Sequence, residues 1–110
     1  MTDDIRALLE ELREIDIETW KDVRFHLINI FSVNDLGDIN LRSLLLQNAY
    51  SDIIQGCIQR ACEHQKWIWH HGHGPEMGYV ATVNHGNLIK GETSAAAILA
   101  AYLAAKRTVR

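Results

Sequence analysis

The uncharged run SAAAILAAYLAA at residues 94–105 constrains this chain more than any other feature. A bilayer span takes about 20 apolar residues, so this run is too short to cross one. Its apolar surface must instead be buried against protein. Alanine carries so little side chain that a helix made of it can lie very close to a sheet or to another helix. Thr93 and Ser94 can cap its start, and Lys106 and Arg107 stand where positive charge favours a helix end. A helix reaching about Arg107 therefore needs a partner surface. The chain's own sheet is the first choice, and a second copy in a homodimer is the alternative.

The sheet is legible just upstream. Lys66–His71 (KWIWHH) alternates bulky rings with Ile68 and reads as a strand. Residues 72–78 (GHGPEMG) read as a glycine-rich connection, and residues 79–84 (YVATVN) as a second strand rich in β-branched and aromatic types. Asn84-His85-Gly86-Asn87 is a hairpin-turn signal, with a third strand over residues 88–91. The strand from Tyr79 is nearly apolar on both sides, which predicts a central position. A three-stranded meander is not stable alone in water, so helices must cover it.

Helical spacing supplies that cover. Ile5, Leu8, Leu9, Leu12 and Ile15 share a face, with Thr2 as an expected cap. A second helix is expected from Thr19, with Trp20, Val23, Leu27, Ile28 and Phe31 as its stripe and Asp22 completing a capping arrangement. Residues 32–38 (SVNDLGD) are turn chemistry, and a short helix is expected over residues 39–46 with Asp38 as its cap. Tyr50 and Ser51 are expected to open a further helix that ends near His64–Gln65, with Ile54, Ile58, Ala61 and Cys62 on one face. The predicted class is α+β: a three-stranded antiparallel meander packed with about four helices, in the order α-α-(α)-α-β-β-β-α. With 110 residues, of which 47% are hydrophobic, the chain has room for one core. We expect a single domain over 1–110, with a helical part at 1–48 and a helix-meander-helix part at 49–110.

Net charge is -3, so no global basic field favours nucleic acid. Lys66, Lys90 and the basic C-terminus offer only a small patch. Acids crowd the start of the chain (Asp3, Asp4, Glu10, Glu11, Glu14, Asp16, Glu18, Asp22), and Lys106, Arg107 and Arg110 crowd its end. Helix-dipole complementation accounts for that pattern, and an acidic docking face is the rival reading. Glu10, Glu11, Glu14 and Glu18 are the candidate partner-binding residues. The acidic start, MTDDIRALLEEL, does not read as a signal peptide. Cys57 and Cys62, five residues apart on a helix, point to different faces and cannot bond to each other, which suits a reduced, cytoplasmic setting.

Histidines gather at His70, His71 and His73, with His64, His85 and Glu76 nearby in sequence. Histidine is a common metal ligand, but this spacing matches no zinc pattern. If the strand persists to His71, His70 and His71 face opposite ways. We assign no metal and no cofactor. Trp67 and Trp69 are expected on one strand face, in the core beneath a helix; Ile68 and His70 then take the other face. A loop at 72–78 with Trp69, His71, His73 and Tyr79 is the candidate small-molecule site. Cys57, His64 and Asp52 could be read as a nucleophile set, but they lie on one helix without a nucleophile motif. No catalytic residue is assigned, and the chain is not expected to be an enzyme.

Several segments together resemble a known family. AYSDIIQGCIQRACE (Ala49–Glu63), KWIW (Lys66–Trp69), YVATV (Tyr79–Val83) and GETSAAAILAAYLAAK (Gly91–Lys106) are similar to the phage ABA sandwich domain. In that family a helix opened by a Tyr-Ser pair leads to a tryptophan-bearing strand, further strands and an alanine-rich helix. The pattern of that last helix stands here as Ala97-Ile98 through Ala101, Leu103 and Ala105. The likeness covers about residues 49–108. It implies a phage or prophage protein working in a host cytoplasm, and it implies no catalytic residues. The function expected is non-enzymatic binding that occludes a host or phage protein, with inhibition of a host defence such as CRISPR nuclease machinery as one form. The alternative is a small-molecule-binding or sequestering protein using the loop at 72–78.

Overall fold

The computed structural model describes residues 4–31 and 44–108. They form α1 (Asp4–Ile15), α2 (Ile17–Phe31), α3 (Leu44–His64), β1 (Trp69–Gly74), β2 (Gly78–Val83), β3 (Ile89–Gly91) and α4 (Ser94–Thr108). This is the α+β arrangement expected, with helices first, then an antiparallel meander, then a closing helix. The cap expected at Thr2, the turn at 32–38 and residues 39–43 of the expected short helix lie outside the described residues.

Two helix starts differ from expectation, each for a local reason, while α3 ends at His64 as expected. Helix α2 begins at Ile17, because Asp16 rather than Thr19 is its cap. The Asp16 carboxylate accepts the Thr19 backbone N–H at 3.3 Å and the Thr19 hydroxyl at 2.6 Å. Helix α3 begins at Leu44, so Tyr50 and Ser51 are buried residues within it and cap nothing. Good helix formers at Leu44–Gln47 carry it past the Tyr-Ser pair. At its other end Lys66 takes a left-handed φ of 61°. Trp67 N–H then bonds the Cys62 carbonyl at 2.9 Å and Lys66 N–H bonds the Glu63 carbonyl at 3.0 Å, which is a Schellman closure. That closure uses up residues 65–67 and starts β1 later than the alternation of rings suggests.

The ladder with β2 runs on to the Gly74–Gly78 pair, so the expected connection at 72–78 shrinks to Pro75, Glu76 and Met77. Gly78 absorbs the reversal at a φ of +69°. The next loop opens with both Asn84 and His85 at left-handed φ (55° and 61°), the pair a type I′ turn requires, and Gly86 N–H closes that turn on the Val83 carbonyl.

The sheet order is β1-β2-β3, so β2 is central as its two-sided apolar character predicts. Register pairs Trp69 with Val83, His71 with Ala81 and His73 with Tyr79, then Tyr79 with Gly91 and Ala81 with Ile89. Paired residues share a face, so these residues form the side that meets α4. There α4 comes so close that a Cβ on Gly91 would sit 2.5 Å from the Ala97 nitrogen. The small residues of α4 do what small residues permit, and the surface they meet is the chain's own sheet. Leu12, Val23, Leu27, Ile54, Ile58, Ile98, Leu99 and Leu103 complete the core behind it.

Candidate functional site

Three surfaces carry the residues singled out from sequence. The first is the rim of β1. Trp69, His71, His73 and Tyr79 do come together, in a row on one face of the β1–β2 ladder. Trp69 and His71 stack at 5.6 Å between ring centres, and His73 and Tyr79 meet at 4.5 Å. Gln55 of α3 reaches across to within 3.3 Å of His71 Nε2. The row lies along a strand, however, and the loop meant to close over it is a three-residue turn. His70 points to the opposite face, where it pairs with Thr82, so the histidine run does not converge. Trp67 and Trp69 both pack on the core, half-buried, but Trp67 lies before the strand and rests against Tyr102 at 5.8 Å.

The second is the acidic start. Its four glutamates have different neighbours. Glu11 is ion-paired with Arg107, and Glu18 lies 3.8 Å from Lys21. Glu10 lines a groove between α1 and α2 together with Arg13, Trp20 and Arg24, where the Arg13 guanidinium sits 5.0 Å from the Trp20 ring centre. Glu14 is exposed. The opposite charges at the two ends of the chain are thus partly a tertiary complementarity: Glu11 with Arg107, and Asp16 with Lys106 at 3.8 Å.

The third surface is a cleft between α2, α3 and α4, lined by Asp16, Asp22, Cys57, Arg60, Gln65 and Lys106 among others. At one end, buried Tyr102 donates its hydroxyl proton to Asp16 at 2.5 Å and accepts from Gln65 at 2.7 Å, while Lys106 reaches Gln65 at 3.2 Å. Burial works to raise the Asp16 pKa, but hydrogen bonds from Thr19 and Tyr102 and the charge of Lys106 outweigh it and hold the carboxyl below its ordinary value. At the other end, His26 Nδ1 lies 2.8 Å from the Asp22 carbonyl, 3.2 Å from Asp22 Oδ1 and 3.9 Å from Cys57 Sγ. The Arg60 guanidinium spans the same spot, 3.3 Å from Cys57 Sγ and 3.5 Å from Asp22 Oδ2. Burial and the Asp22 carboxylate push the Cys57 thiol up to about 12. It therefore stays protonated near neutral pH and is a poor nucleophile.

Cys57 does meet a histidine and an aspartate, but they are His26 and Asp22 of α2. Asp52 and His64 of its own helix are not the partners: Asp52 is exposed and His64 lines the cleft farther along. The i, i+4 spacing of Asp22 and His26 was visible in the sequence as two polar groups on one helix face. Which α3 residue they face was not.

Comparison with family models, with curated proteins and with solved structures finds no match to this chain. Among the described residues no helix is long and apolar enough to cross a membrane.

Proposed function

We propose that this chain is a non-enzymatic binding protein that occludes a protein partner, using the sheet face turned away from α4 and the adjoining rim of β1. One observation carries the reading. Ile68 and Leu88, which immediately precede β1 and β3 and by strand alternation stand opposite Trp69 and Ile89, keep 50% and 51% of their surface exposed. His70 and Lys90 surround them and are exposed as well. An apolar centre with a polar surround is the usual anatomy of a protein interface. Strand β1, at the sheet edge, adds unpaired ladder positions to that face. The protonated, buried state of Cys57 argues against nucleophilic catalysis.

With the sequence resemblance over residues 49–108, the proposal extends to a phage or prophage gene product acting in a host cytoplasm on a host or phage protein. Inhibition of a host defence, CRISPR nuclease machinery among them, is one form of that action. The engagement of Glu11 by Arg107 takes one of the four glutamates out of an acidic contact face and favours the sheet.

The test is crosslinking and native mass spectrometry of the untagged protein in host lysate, comparing wild type with Ile68→Glu/Leu88→Glu and with Glu10→Lys/Glu14→Lys. We expect a stoichiometric protein partner that the sheet variant loses and the acidic variant keeps. Loss in the acidic variant alone would move the contact to α1. A wild-type chain carrying only added small-molecule mass would instead support sequestration of a ligand by Trp69, His71, His73 and Tyr79, and a wild-type homodimer would point to self-association.

A further inference from the structure

We propose that Asp22, His26 and Cys57 form a zinc site that clips α2 to α3, with its fourth position open to solvent in the cleft. The first two residues lie one helical turn apart on α2, so both side chains leave the same face. Cys57 enters from α3. One carboxylate oxygen, one imidazole nitrogen and one sulfur lie within 4.8 Å of one another, and no other three-donor group of this kind occurs among the described residues.

The separations suit a tetrahedron. Zinc–nitrogen and zinc–oxygen bonds near 2.1 Å and a zinc–sulfur bond near 2.3 Å put ligand atoms roughly 3.4–3.6 Å apart. The nitrogen–oxygen pair stands at 3.2 Å and the nitrogen–sulfur pair at 3.9 Å, so small side-chain rotations close the site. A mixed nitrogen, sulfur and oxygen donor set favours zinc over the hard, all-oxygen cations.

The position already holds positive charge. Arg60 places its guanidinium between Asp22 and Cys57, and its side chain is 51% exposed. A long side chain of that kind can leave for solvent at little cost. Zinc entry then takes three steps that balance. Arg60 swings out; His26 gives up its bond to the Asp22 carbonyl, passes its Nδ1 proton to solvent while Nε2 takes one from solvent, and binds through Nδ1; and Cys57 releases its thiol proton to solvent as the zinc–sulfur bond forms. A carboxylate, a thiolate and zinc(II) leave the site neutral, while Arg60 keeps its charge in water.

The site is tested on the full, untagged chain with zinc(II) and with cobalt(II) as a spectroscopic probe. Wild type should take up one zinc per chain by native mass spectrometry, and cobalt should give a thiolate-to-metal charge-transfer band. His26→Ala, on a partly exposed side chain whose loss should spare the fold, should weaken zinc binding by more than roughly a hundredfold, beyond what an outer-shell partner costs. Cys57→Ser should abolish the charge-transfer band, and Arg60→Ala should tighten binding by removing the competing cation. His71→Ala/His73→Ala should bind as wild type does. A folded wild-type chain without the band would overturn the proposal, as would a band that survives Cys57→Ser or binding unchanged in His26→Ala. Weaker binding in Arg60→Ala would show the arginine to be a support of the cluster rather than a stand-in for the metal, and would overturn it too.

Discussion

Helix α4 meets the rest of the molecule along two seams of opposite character. Toward the sheet, Gly91 lies against the backbone of Ala96 and Ala97 with no room for a Cβ. Toward the other helices, Tyr102 and Lys106 end in hydrogen bonds and charge on Asp16 and Gln65. The first seam is held by shape. Its strength comes from dispersion and from apolar area removed from water, and it tolerates no added volume. The second is held by direction. A buried hydroxyl there is tied to a carboxylate 86 residues away in sequence, and a polar group left without that partner would carry a desolvation penalty. A single helix can thus be indifferent to pH on one side and sensitive to it on the other.

The largest effect should come from breaking the shape-held seam. Gly91→Ala is expected to lose roughly 3 kcal/mol or more of unfolding free energy, since backbone atoms must move to admit the methyl group. Urea denaturation at several pH values measures it, and the loss should be the same near pH 7 and near pH 4. A cost below 1 kcal/mol would mean that the seam relaxes more readily than its close approach implies.

Tyr102→Phe sharpens the contrast. It removes one hydrogen bond to a charged group and should cost about 2 kcal/mol near neutral pH. The Asp16 carboxyl is held below its ordinary 3.8, so the folded protein binds fewer protons there than the unfolded chain does. Stability from that group is complete above the ordinary value and is lost as pH falls through the lowered one. The penalty of Tyr102→Phe should therefore shrink as pH drops below about 3.8, and Asp16→Asn should flatten the acid limb of the stability curve. A penalty constant down to pH 2 would assign the Tyr102 contribution to packing.

The smallest effect belongs to neither seam. Lys66 occupies a left-handed position at the end of α3 that suits glycine better, so Lys66→Gly should stabilise by up to about 1 kcal/mol. Thermal melts suffice to see it. A loss instead would show that the Lys66 side chain has contacts that outweigh the backbone gain.

Much of the architecture could be read from local pattern. The stripe Ile5–Leu9–Leu12, the alternation around Tyr79–Val83 and the alanines of α4 each announce an element and its buried side. Boundaries were read less well, because they rest on competition between neighbours. Asp16 out-competes Thr19 as a cap, a Schellman closure at Lys66 delays β1, and a ladder running on to Gly74 and Gly78 leaves only three residues in the β1–β2 turn. The ring row was partly legible, since Trp69, His71 and His73 alternate in a strand and Tyr79 follows the turn. The pairing of Glu11 with Arg107 was not, because Arg107 enters from the far end of the chain.

Periodicity, propensity and small-residue composition act over a few residues, so the sequence already contained the α+β class, the central place of β2 and the need for a close surface against α4. The identity of that surface, Gly91 and its strand, needed the helix to be docked. So did the meeting of Cys57 with His26 and Asp22, and the grip of Tyr102 on Asp16. Each of these joins side chains from different elements at hydrogen-bond or van der Waals distance. Such distances depend on how helices rotate and settle on one another, and no local pattern encodes that rotation.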